Sequence, residues 1–132
     1  DNTSDVNVSN ASNLNSIGLG QFGEGNSSDI EVENNSSRNS VTAVQDGDGN
    51  EIEMDGWRGI KDNSDRNVVG IMQDGDDNEA KVEIDENSNL NAISIYQEGD
   101  DNESDVDVDN ESSRNLVEVM VMRRRYLLSS LF

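Results

Sequence analysis

Apolar residues fall at every second position in short runs along this chain, and the runs themselves recur. Counted from Asn15, Asn39, Asn67, Asn91 and Asn115, the second and fourth residues are Ile17/Leu19, Val41/Ala43, Val69/Ile71, Ile93/Ile95 and Val117/Val119, with mostly small or polar residues between them. A period of two predicts strands with one buried face. A second alternating run follows in each unit, as in Ser28, Ile30, Val32, then Ala80, Val82, Ile84, then Ser104, Val106, Val108. Each unit therefore reads strand, turn, strand. Units of this size cannot bury an apolar face alone, so the predicted fold class is all-β, a cross-β-like stack of repeats.

Between the two runs stands a hexapeptide pattern, Gln-x-Gly-x-x-Asn, starting at Gln21, Gln45, Gln73 and Gln97 with spacings of 24, 28 and 24 residues. Its residue types suit a turn. Gly23, Gly47, Gly75 and Gly99 allow positive φ, while Asn26, Asn50, Asn78 and Asn102 tolerate the left-handed region and can bond nearby backbone through the side-chain amide. The four Gln are expected to point inward and lie over one another one layer apart, each amide donating to the next.

One unit is longer than the rest. Aligning DNSDRN (62–67) with NNSSRN (34–39) sets Ile60 beside Val32 and Met54 beside Ile30, which confines four extra residues to a loop around residues 56–59. That loop carries the single Trp, Trp57, read either as a contact site or as a side chain packing on its own domain.

The ends complete the scheme. NTSDVNVSNASNLN (2–15) matches NESDVDVDNESSRN (102–115) position for position, so the chain opens on a lone second strand and closes, at LVEVMVM (116–122), on a lone first strand. The organisation is a half-unit 1–14, units 15–38, 39–66, 67–90 and 91–114, and a half-unit 115–122, five layers within 1–122, followed by a tail 123–132. A head-to-tail neighbour could supply each missing half, pairing Val6 and Val8 with Val117, Val119 and Val121, and heterologous contacts of this kind give open filaments. An outward column of Val44, Met72, Tyr96 and Met120 adds an apolar stripe. The tail offers Tyr126, Leu127, Leu128 and Phe132 behind three arginines, and is expected to cover such a stripe on its own or the adjoining chain.

Composition alone would argue for disorder: 31% of residues are hydrophobic, 4% aromatic, and the formal net charge is −20. The repeat reverses that, because stacked interior residues meet their own copies above and below and a thin core suffices. With no Cys and no His, disulfides, most transition-metal sites and most nucleophile–base pairs are excluded. Carboxylates are plentiful but nothing in the pattern makes a pocket, so no enzymatic activity is expected. No apolar run approaches a membrane span, and the chain reads as soluble or already processed. The acidic body, with six basic and 29 acidic residues in 1–122, makes nucleic acid an improbable partner.

The same acids suggest a cation. One per layer, Glu24, Asp48, Asp76 and Asp100 should form an outward column at about 4.8 Å spacing, with Asp46, Asp74 and Glu98 forming a second. Like charges at that distance repel by about 1 kcal/mol even at the dielectric of water. These columns are either Ca²⁺ or other divalent-cation ligands or an ordinary solvated surface. DGDGNEIE (46–53) has the look of an EF-hand loop, but Glu51 stands where that loop needs Gly. No cofactor is required by any of this.

The repeat resembles the curlin repeat of curli-type functional amyloid subunits, Ser-x-φ-x-φ-x-Gln-x-Gly-x-x-Asn-x-Ala-x-φ-x-Gln, over nearly all of residues 1–122. The resemblance implies a β-solenoid with one repeat per layer, secretion through an outer-membrane channel, polymerisation into an extracellular adhesive fibre of a biofilm matrix, and a nucleator subunit as a further partner. There are departures. The first Ser is Asn here, and the second Gln is replaced by Val8, Val32, Ile60, Ile84 and Val108, turning one amide ladder into an apolar column. The last unit lacks the Gln and Gly and ends in RRRYLLSSLF, similar to the charged terminal repeat of a nucleating curlin. The other reading kept open is a monomeric calcium-binding β-solenoid module of a secreted adhesin.

Overall fold

The computed structural model describes residues 1–54, 59–108, 111 and 113–122. Trp57 and the tail residues Tyr126, Leu127, Leu128 and Phe132 lie outside them. The described residues form an all-β solenoid of about five turns, built from two parallel sheets.

Each turn of the solenoid gives one strand to each sheet. The first sheet is ordered β1(Thr3–Val8), β3(Ser27–Val32), β5(Glu51–Met54), β7(Glu79–Val82), β9(Glu103–Val106); the second is ordered β10(Leu116–Met122), β8(Ala92–Glu98), β6(Val68–Asp74), β4(Ser40–Asp46), β2(Ser16–Phe22). Every pairing is parallel and in register, so equivalent residues stack: Ile17 on Val41 on Val69 on Ile93 on Val117, and Gln21 on Gln45 on Gln73 on Gln97. The unit that begins at Asn39 keeps this register, with Ile30 paired to Met54 and Val32 bridged to Ile60, which bridges in turn to Ile84. The register is thus the same at Met54 and at Ile60, on either side of the extra residues.

The core is the narrow seam where the inner faces meet. Ile30, Val32, Ile52, Met54, Ile60, Val82 and Ile84 face Val41, Ala43, Val69, Ile71, Ile93 and Ile95, all buried. Alternation along each strand sends the intervening residues outward. At one corner the glycines are forced. Gly47 has φ 121° and Gly75 φ 122°, and a Cβ built on Gly47 would run into the carbonyl of Gly75 in the next layer. Close stacking of identical turns thus excludes any side chain there. The opposite corner is built without glycine, from Asn34 and Asn35, Asp62 and Asn63, and Asn87, all at positive φ near 50–66°. Asn and Asp are the side chains that tolerate that region best.

Candidate functional site

The solenoid places three columns of amides in its interior. Gln21 donates through Nε2 to Oε1 of Gln45 at 2.9 Å, Gln45 to Gln73 at 3.1 Å, and Gln73 to Gln97 at 3.0 Å. The other N–H of each amide goes to a carbonyl across the seam, at Thr3, Ser27, Glu51 and Glu79. Gln45, Gln73 and Gln97 are fully buried. Their burial is tolerable because the donors and acceptors are matched within the column.

A second column runs Asn2, Asn26, Asn50, Asn78, Asn102. Each Oδ1 accepts the backbone N–H of the next, at 2.9–3.1 Å, from Asn26 N–H on Asn2 to Asn102 N–H on Asn78. The third column was not read from the sequence as a ladder. Asn15, Asn39, Asn67, Asn91 and Asn115 repeat the same backbone-to-Oδ1 bond at 2.8–2.9 Å, and Asn15, Asn39 and Asn67 also hold the carbonyls of Ser36, Ser64 and Ser88. Its signal was present, since Asn opens all five units, but Asn is common in this chain and only its burial shows the role.

The acid columns take a different form from a metal centre. Asp48 accepts the backbone N–H of Glu24 at 2.7 Å, Asp76 that of Asp48 at 2.9 Å, and Asp100 that of Asp76 at 3.4 Å. The column is therefore a hydrogen-bonded ladder on an exposed turn, and these bonds offset the repulsion between neighbouring carboxylates. Asp46, Asp74 and Glu98 stack in register at the end of the second sheet, where Tyr96 donates to Glu98 at 3.4 Å. Among the described residues no three acidic side chains gather into a group that could hold a metal ion. Glu24, Asp48, Asp76, Asp100, Asp46, Asp74 and Glu98, read from the sequence either as cation ligands or as a solvated surface, thus supply one carboxylate per layer in each column, whereas Ca²⁺ takes six to eight oxygens around one centre.

Among the described residues the two ends of the stack are steps. β1 projects one layer beyond β2, and β10 projects one layer beyond β9. Val6 and Val8 stand 45% and 44% exposed, whereas their stacked equivalents Ile30 and Val32 are at 0%. Val117, Val119 and Val121 are half-buried at the other step. At that step the Asn column stops on a buried acceptor, for Asn102 Oδ1 has no hydrogen-bond partner among the described atoms. Ser104 Oγ is also unpartnered; its equivalent Ser28 donates to Gln45 of the next layer, and Val121 occupies that position above Ser104.

Outside, the two sheets differ. The first sheet shows Asp29, Glu31, Glu51, Glu53, Glu79, Glu103 and Asp105, relieved by Lys61, which holds Glu31 at 2.8 Å and Glu33 at 2.9 Å, and by Lys81, which pairs with Glu79. Burial works against the Lys61 charge, but the hydrogen bonds and charges of Glu31 and Glu33 outweigh it and hold its pKa above 10.5. The second sheet shows small and apolar residues, with a shallow hollow of about 300 Å³ lined by Thr42, Val44, Gly70, Met72, Ser94 and Tyr96.

No family model matches this chain, and no curated protein or solved structure is similar to it. Among the described residues there is no helix long and apolar enough to cross a membrane.

Proposed function

We propose that this protein is a structural subunit that stacks on copies of itself, head to tail, into a filament of the curlin type. β1 of one chain enters the half-layer opposite β10 of another, Val6 and Val8 close over Val117, Val119 and Val121, and β2 of the incoming chain lies on β10. The observation that carries this reading is the step at β10, where half-buried valines and the unpartnered Asn102 Oδ1 form an unfinished layer. What would finish it is a strand with the pattern of residues 2–8, whose Asn2 N–H would meet Asn102 Oδ1 as Asn26 N–H meets Asn2. An exposed strand edge of this length recruits another strand unless something blocks it.

On this reading the fibre is extracellular and adhesive, reached through a secretion channel and started by a nucleator, as the resemblance to curli subunits implies. Catalysis has no part in it. The test is direct. Purified protein is incubated with and without Ca²⁺ and imaged, and fibre diffraction is recorded. Long unbranched filaments with a meridional spacing near 4.8 Å are expected, independent of Ca²⁺. A peptide of residues 1–14 in excess should occupy the β10 step and stop growth. A monomer that folds only on adding Ca²⁺ would replace this reading with that of a calcium-binding adhesin module.

A further inference from the structure

The outer face of the second sheet has two charged edges of opposite sign. The residues just before its strands are Leu14, Arg38, Arg66, Leu90 and Arg114, one per layer and all exposed; those at its far edge are Phe22, Asp46, Asp74, Glu98 and Met122. Arg38, Arg66 and Arg114 make no ion pair with any described residue. Between the edges the face is small or apolar in four layers and carries Glu118 in the fifth. Its middle column is Gly18, Thr42, Gly70, Ser94 and Glu118, flanked by Ser40, Val68 and Ala92 on one side and Val44, Met72 and Tyr96 on the other.

We infer that this face pairs with the same face of a second copy, about a twofold axis running along the stack. A twofold along the stack reverses the strands across the contact and so places one copy's arginine edge over the other's acid edge. In the same layer it sets Leu14 against Phe22, Arg38 against Asp46, and Arg66 against Asp74. A twofold along the strands through the middle layer would instead reverse the layers and oppose Arg66 to Arg66, Asp74 to Asp74 and Asp46 to Glu98. The middle column lies on the chosen axis and meets itself: Gly18, Thr42, Gly70 and Ser94 are small enough for four layers to close, whereas Glu118 would oppose its own copy in the fifth, so the pairing is confined to the first four layers. There each Val44, Met72 and Tyr96 meets the Ser40, Val68 and Ala92 column of its partner.

Charge also selects the face. Two copies that each carry −20 repel through the acid-covered first sheet, and the second sheet is where compensation is available. Area sets the condition. Nine positions along the strand at about 3.3 Å and five layers at about 4.8 Å give a whole face of roughly 700 Å², so the four pairing layers fall well below the about 800 Å² per partner of a stable interface. Single chains therefore pair transiently, and stacked chains, whose faces join end to end, pair firmly. For that firmness the inference rests on the head-to-tail reading.

The full chain has no cysteine, so single cysteines report the axis. Under mild oxidation Ser94→Cys, on the axis, should form disulfide-linked dimers at least tenfold faster than Ser40→Cys, which faces the partner's opposite column. Equal rates, or no cross-linking at Ser94 because residues 123–132 of the same chain cover the face, would overturn the pairing. This arm works on monomers, so a failure to form filaments would count against head-to-tail stacking alone. In filaments, wild type should measure two solenoids across, R38D/R66D one, and R38D/R66D/D46R/D74R two again. Wild-type filaments one solenoid wide, or a width unchanged by the first variant, would also overturn it.

Discussion

The two sheets of this solenoid are near copies inside and opposites outside. Both supply aliphatic residues to one buried seam, and both are held in parallel register by the same repeat. Yet the first sheet turns acids outward along its length, whereas the second keeps Asp46, Asp74 and Glu98 to one edge and turns glycine, serine, threonine, valine, methionine and tyrosine outward beside them. The difference teaches that the repeat constrains only the inward positions and the corners. Outward positions touch their own copies in adjacent layers and little else, so they are free to differ between the two faces.

Substitution inside the seam should have the largest effect, and one independent of face. Gln73→Glu removes both N–H donors that reach Glu51 and Gln97 and buries a carboxylate, and we expect it to cost upward of about 3 kcal/mol. Gln73→Leu leaves the same neighbours unpaired but buries no charge, and should cost less, about 1–3 kcal/mol. Urea unfolding measures both; equal costs would show that the column is more hydrated than its burial indicates. Gly47→Ala should be comparably severe, since its Cβ has only the Gly75 carbonyl to displace.

The next experiment separates the faces. Met72→Asp, on the second sheet, and Glu53→Lys, on the first, are both expected to change unfolding free energy by less than about 1 kcal/mol, as surface substitutions do. Only Met72→Asp should weaken association, read by sedimentation at rising concentration. Similar losses from both would erase the functional contrast between the sheets.

A smaller effect belongs to the turn column. Asp48→Asn keeps an oxygen for the Glu24 N–H and removes a charge between two others, so it should stabilise by a few tenths of a kcal/mol at low salt and by nothing at high salt. The smallest effect is that of Lys61. Its pKa is raised on folding, so its contribution is fully present below pH 10.5 and is lost as pH rises through the raised value. Thermal melts in alkaline buffer should show a steeper loss for wild type than for Lys61→Gln, whose own deficit at neutral pH is below about 1 kcal/mol because the site is partly exposed.

Much of this molecule was determined locally, and that part was legible. Period-two runs such as Val69 and Ile71 identify strands whatever surrounds them, and Gln-x-Gly-x-x-Asn at near-constant spacing requires equivalent residues to share an environment. A stack follows, because a unit with so thin an apolar face has no other way to bury it. The return of the pattern in phase at Ile60 was legible for the same reason. What the sequence could not settle was how polar atoms are partnered across layers. Asn39 and Asn67 are written like the many solvated Asn of this chain, and only parallel register brings each Oδ1 under the next backbone N–H. Asp48 and Asp76 read as bare repelling charges until the turn aims them at backbone donors. The opposed edges of Arg66 and Asp74 lie eight residues apart in the chain and become two sides of one face only when five strands align. Partnering depends on distances between layers, and those distances exist only once the tertiary stack has formed.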